Sequence, residues 1–213
     1  MRNYVYSAYI GAITRAFSGA VMVIRTPFIS TLMGVTALLA SVTTQAIEFN
    51  QIQPDKSAVS FVFKQMNVPV EGSFKRFTGH ISFDPAKPTQ ARASLDIPLA
   101  SIDAGSDEAN DEVAGVLWFN TKAYPLAKFV STAVRPLGNN RFEVSGQMSI
   151  KGRTHPASTQ ATFRQLGNSG VFAGSFVLKR ADYGIGEGMW ADFGTVANEV
   201  QIKFQLVAVA SNK

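Results

Sequence analysis

From about residue 57 onward the chain alternates apolar and polar positions with a period of two, and the alternation restarts at short, regular intervals. In residues 63–85, Phe77, Gly79, Ile81 and Phe83 share one parity while Arg76, Thr78, His80 and Ser82 share the other, as a strand with one buried face requires. An apolar strand precedes it, with Val68-Pro69-Val70-Glu71-Gly72 read as the turn between the two. Asp84-Pro85 stops the second strand, because proline has no N–H to give to a ladder. Residues 57–64 set Val59, Phe61 and Phe63 on one face, and residues 92–97 do the same with Ala93, Leu95 and Ile97. Residues 128–134 run to Arg135-Pro136, and Leu137-Gly138-Asn139-Asn140 reads as the hairpin loop into residues 141–150. There Phe142, Val144, Gly146, Met148 and Ile150 alternate with Glu143, Ser145, Gln147 and Ser149. Residues 159–165 and 171–179 flank another turn, and residues 199–209 alternate Val200, Ile202, Phe204 and Leu206 with polar side chains. At least eight strands are predicted.

One segment breaks the pattern. Residues 106–117 lose β-branched side chains and crowd Asp107, Glu108, Asp111 and Glu112 together, which predicts a short helix whose N-terminus is capped by Ser106 or Asp107. Trp118-Phe119 follows as an apolar anchor. Such a segment is either a surface connection with solvated charges or a lid over a cavity mouth.

Many short antiparallel strands interrupted by one helix point to a closed barrel or a sandwich. The 16 phenylalanines fall mostly on the apolar parity where they lie in strands, and they either fill the interior or line a cavity within it.

The first 46 residues read differently. Arg2, Arg15 and Arg25 stand without an acid before residue 28, and the uncharged apolar run at 28–40 leads through polar residues to Thr44-Gln45-Ala46, the pattern of a secretory signal peptide cut after Ala46. The apolar run is shorter than the roughly 20 residues of a spanning helix. Residues 47–213 are then expected as one soluble, exported domain in the periplasm. The net charge of +5 comes largely from those three leader arginines, which removes the main support for nucleic-acid binding. With 0 cysteines there is no disulfide framework and no lipid-modified cysteine.

Four landmarks in order resemble the YceI-like family of periplasmic, polyisoprenoid-binding proteins: SFVFKQMNVPVEGSFKRFTGHISFDP at 60–85, WFNTKAYPLAKFVST at 118–132, GQMSIKGRTHP at 146–156, and LKRADYGIGEGMWAD at 178–192. The resemblance runs from about residue 57 to 208. It implies an all-β fold, an extended lipocalin-like barrel of eight antiparallel strands with a helical insertion, and a bound polyprenyl lipid or isoprenoid quinone with no covalent cofactor. It also implies transient membrane contact and, as a partner, a membrane cytochrome of the b561 type. Many members carry Asp-x-His-Leu where this chain has Asn110-Asp111-Glu112-Val113, so no role of that histidine carries over.

The residues expected to line the interior are Phe61, Phe63, Phe77, Ile81, Phe83, Phe142, Val144, Met148, Phe176, Ile202 and Phe204, with Trp118, Phe119, Tyr124 and Trp190 near the ends. A prenyl chain gains about 0.8 kcal/mol per buried CH₂, so a dry interior binds it without hydrogen bonds. The rival reading is a periplasmic hydrolase of a small ester or phosphate using carboxylates at the barrel end, drawn from Asp182, Glu187 and Asp192. No cysteine or G-x-S-x-G elbow supports it, and neither His80, on a polar parity, nor His155, read in a turn at 152–156, has metal-ligand spacing around it. No catalytic or metal-binding residue is therefore assigned. An outer-membrane barrel is disfavoured because the outward parity carries Lys64, Arg76, Arg92, Asp96, Glu143 and Lys203, a face that requires water.

Overall fold

Eleven strands and one α-helix order residues 47–211, the part of the chain that the computed structural model describes. The leader read at residues 1–46 lies outside the described residues. In chain order the elements are β1 (Glu48–Ile52), β2 (Ala58–Gln65), β3 (Val68–Phe74), β4 (Thr78–Ser82), β5 (Arg92–Pro98), β6 (Ile102–Asp103), α1 (Asp107–Ala114), β7 (Leu126–Gly138), β8 (Arg141–Ile150), β9 (Arg153–Leu166), β10 (Ser169–Lys179) and β11 (Glu199–Ser211).

The strands form one antiparallel sheet in the order β4-β5-β7-β8-β9-β10-β11-β2-β3-β6, with β1 also against β11. The sheet curls until its margins meet: Phe49 in β1 and Phe83 just after β4 exchange both backbone hydrogen bonds, at 2.9 and 3.0 Å. Eleven strands stand where eight were expected because three arms are broken. Pro54 starts a turn between β1 and β2, residues 75–77 separate β3 from β4, and a turn at Leu99–Ser101 separates β5 from β6. β11 bridges the first break by pairing with both β1 and β2. Ser57 Oγ fills the gap, donating to Gln53 O at 2.7 Å and accepting from Val207 N–H at 2.9 Å.

Three prolines were read as turn or stop signals and instead lie inside strands. The first hairpin turns at Met66-Asn67 (φ 48° and 64°), so Pro69 belongs to β3; β7 runs on through Pro136, and β9 begins at Arg153 and contains His155 and Pro156. Each proline sits where its strand has a partner on one side only, so the missing N–H interrupts nothing. Asn139-Asn140 and Lys151-Gly152 also have positive φ at both positions, the two-residue turn whose twist matches the sheet. At Gly146 in β8, a Cβ would come within 2.6 Å of the Phe129 ring, which explains a glycine on an inward parity.

Helix α1 forms as expected, with Ser106 Oγ accepting from Ala109 N–H at 3.2 Å and Asp107 and Glu108 in its first turn. None of its residues is buried.

The core has two parts. Toward one end of the strands, Phe49, Phe83, Phe142, Phe163 and Phe172 interlock, with Phe83 4.7 Å from Phe163 and 5.1 Å from Phe172 between centroids. Burying each ring stabilises by about 1.5–3 kcal/mol, with about 0.5–1.5 more for a well-placed ring pair. Toward the other end Leu99, Trp118, Ala127, Met148, Ile150, Tyr183, Ile185 and Val196 pack together beneath the segments that follow β10 and α1.

Candidate functional site

Between the two packed ends the interior is hollow. Two adjoining cavities of about 120 and 130 Å³ share Val59, Ile97, Met148, Phe176 and Ile202 on their common wall, and these five side chains form a waist. The lining is apolar except at Arg92, Ser158 and Thr159 in the first chamber and Arg180 in the second. An apolar cavity of roughly this size stays dry and accepts a six-carbon ring. What such walls can do is exclude water and bury hydrocarbon.

Of the residues expected inside, Ile81, Phe83, Phe142, Val144 and Phe204 line the first chamber and Phe61, Phe63, Trp118 and Phe119 the second, while Met148, Phe176 and Ile202 border both. Phe77, Tyr124 and Trp190 line neither. Phe77 is 6% exposed within the phenylalanine-rich core, because it fills the break between β3 and β4 rather than continuing the inward row of a strand. Tyr124 is 38% exposed and covers the Lys151-Gly152 turn. Trp190 packs against Trp118, which borders the second chamber, with ring centroids 5.5 Å apart and planes tilted by 58°. Val59, Leu95, Ile97, Phe129 and Leu178 are also on the walls; the first three lie on the apolar rows that the alternation marks, though they are not among the residues expected to line the interior.

The second chamber is closed by a plug made of residues 180–198 and 115–119. Arg180, 2% exposed, holds it: its guanidinium donates to the carbonyls of Ile185, Gly186, Trp190, Val196 and Ala197 at 2.7–3.2 Å. Burial draws its pKa below the ordinary arginine value, yet five oxygen acceptors satisfy the cation. No local feature of the sequence marks this role. The backbone N–H groups of Gly186 and Glu187 both donate to Leu117 O at 2.8 Å, joining the two parts of the plug. Glu112, at the position of the family's histidine, accepts from Trp190 Nε1 at 2.7 Å and so latches α1 to the plug. Trp118 Nε1 is a buried donor with no partner among the described residues.

The carboxylates proposed for hydrolysis are spread through this plug in separate tasks. Glu187 accepts from Lys151 Nζ at 3.0 Å and lies 3.6 Å from Arg153, and Lys151 keeps its pKa below the ordinary value. Asp192 caps its own turn through Gly194 N–H and Thr195, which also lowers its pKa. His155 Nε2 lies 3.0 Å from Asp182 O with its ring edge-on to Tyr183, whereas His80 is exposed on the outer face. Among the described residues no three His, Cys, Asp or Glu side chains converge on a metal position, and no helix is long and apolar enough to cross a membrane.

The model of the YceI-like domain matches residues 51–208. The chain belongs to the YceI-like family. Among curated relatives, a UPF0312 protein of Pseudomonas putida is 34% identical over 122 residues, 54% of this chain and 64% of the relative. One from Azotobacter vinelandii is 31% identical over 137 residues, 62% of this chain and 69% of that protein. The chain thus spans 64% of the length of the Pseudomonas relative. Among solved structures, Burkholderia cenocepacia BcnA superposes with a TM-score of 0.73 at 46% identity, covering 75% of this chain and 100% of BcnA. A polyisoprenoid binding domain from Saccharophagus degradans, described as implicated in plant cell wall breakdown, gives 0.62 at 20% identity over 78% of this chain and 99% of that domain, a likeness of fold.

Proposed function

We propose that this protein binds a long isoprenoid chain, a polyprenyl lipid or the tail of an isoprenoid quinone, in its barrel interior. It acts as a binder without turnover, exported through its leader, that carries, stores or sequesters the lipid in the periplasm. The observation that carries this reading is the pair of joined apolar chambers. A five-carbon prenyl unit leaving water for such walls gains about 4 kcal/mol before the loss of chain freedom is counted. With about 150 Å³ taken by a six-carbon ring, chambers of about 120 and 130 Å³ each hold about one prenyl unit.

Family membership and the Saccharophagus domain's description support the ligand class. Met66, Val116, Met189 and Phe193 lie exposed at the plugged end, where Met66 N–H donates to Thr195 O at 2.9 Å. These side chains suit brief contact with a membrane, and a quinone ligand would extend the reading to the b561-type cytochrome that the family resemblance implies. Mass spectrometry of lipid extracted from protein purified out of its native compartment tests the proposal. Enrichment of prenyl lipids over a mock purification is expected; recovery of only straight-chain lipids, or of none, would overturn it.

A further inference from the structure

A phenylalanine-rich cluster is packed toward one end of the strands and the Arg180-centred plug toward the other, and the ladder between β9 and β10 offers a way in at the side. These strands pair only from Ser169↔Leu166 to Ser175↔Gln160. Beyond that point residues 153–159 of β9 stay paired with β8 alone, and residues 176–179 of β10 with β11 alone. The wall divides into a wedge. Its apex is finished by a side chain, Thr159 Oγ1 donating to Ser175 O at 2.9 Å, and Pro156 has no N–H to carry the ladder on. Its wide end is closed by the segment after β10, where His155 Nε2 meets Asp182 O and Lys151 Nζ donates to Gly184 O.

Between apex and base lie about four residue steps, or roughly 13 Å of strand. Ala157, Ser158 and Thr159 all border the first chamber, although successive strand residues point to opposite faces and Ser158 is exposed on the outer one. The cavity therefore reaches the open margin of β9. Phe176 on the facing lip borders both chambers, and Leu178 borders the second.

We infer that this gap is a side portal through which an isoprenoid chain passes into both chambers, and that Ser158 and Phe176 are its lips. The inference rests on the isoprenoid reading above. It gives a chain longer than the chambers hold a place to emerge, past backbone groups that water can satisfy.

The chain's lack of cysteine allows three single replacements to be labelled separately: Ser158→Cys at the lip, Val116→Cys at the plugged end, and Ala133→Cys on the outer wall of β7. Each is coupled to fluorescein maleimide, and uptake of a fluorescent geranylgeraniol analogue is followed by stopped flow. Label at 158 should slow uptake roughly tenfold, with label at 133 or 116 leaving the rate unchanged. Equal rates for all three, or slowing at 116 alone, would overturn the portal while leaving isoprenoid binding intact. Failure of the unlabelled protein to bind the analogue at equilibrium would instead overturn the isoprenoid reading and the portal with it.

Discussion

Replacing Met148 by tryptophan separates a ligand cavity from an ordinary core. Met148 sits in β8 between Phe129 and His155, is 8% exposed and borders both chambers. In a fully packed interior the larger side chain would force its neighbours off their rotamers and cost about 1–3 kcal/mol. Here about 120 Å³ of space adjoins it on one side and 130 Å³ on the other. Since a cavity of about 150 Å³ accepts benzene, the added ring fits largely within one chamber. We expect the delipidated Met148→Trp protein to lose less than about 1 kcal/mol, a urea-midpoint shift below about half a molar at a slope near 2 kcal/mol/M. Lipid recovered with the variant should fall, or shift to shorter chains, because the indole occupies ligand space at the waist. The measurements are urea unfolding of delipidated protein and quantification of extracted lipid on the same preparation. A loss of 3 kcal/mol or more, with unchanged lipid on the remaining folded protein, would show that the chambers are not where the ligand lies.

Arg180→Met, which strips five plug carbonyls of their donor, should destabilise the domain by about 3–5 kcal/mol; Arg180→Lys should recover only part, and a loss under about 1 kcal/mol by chemical denaturation would contradict the plug's dependence on this cation. Glu112→Ala removes the latch to Trp190 and should raise amide hydrogen exchange in residues 107–114 severalfold at a cost of about 1 kcal/mol; exchange identical to the parent's would mean that the helix is held by packing alone. The folded-state pKa values of Asp103 and Glu187 are depressed by Lys75 and Lys151, so their contribution is present above the unfolded carboxylate values and is lost as pH falls through the folded ones. Stability should therefore decline as pH falls below the ordinary carboxylate range, and the Asp103→Asn, Glu187→Gln double variant should show a shallower decline in thermal unfolding.

Strand parity is a local property, and what depends on it could be read without the fold. Val59, Phe61, Met148 and Phe204 all lie on the inward row that the alternation assigns them, and Ser106 followed by acids marks a helix start by its own chemistry. Edges are not local. Pro69, Pro136 and Pro156 look like breakers because a proline's tolerance depends on whether a neighbouring strand needs its N–H, and only the assembled sheet shows that none does. Phe77 and Phe83 carry the same parity signal, yet Phe77 fills a strand break and Phe83 lines a chamber. Arg180 lies in a charged, glycine-rich stretch that resembles a surface loop; its five acceptors come from residues 5 to 17 positions downstream, brought together by the turn.

The placement of that one buried cation constrains what the barrel can hold. Arg180 borders the second chamber and could be taken for an anchor to an anionic head group, but its donors already face the carbonyls of the plug. Turning them toward a ligand would orphan those carbonyls at about 1–3 kcal/mol apiece. The other side-chain polar atom among the residues bordering that chamber is Trp118 Nε1, a single buried, neutral donor. A diphosphate in this chamber would meet no uncommitted charge, and an unpaired buried ion costs several kcal/mol. For an isoprenoid ligand the second chamber is thus suited to the hydrocarbon tail, and a charged head belongs outside it, within reach of water at the margin of the wall.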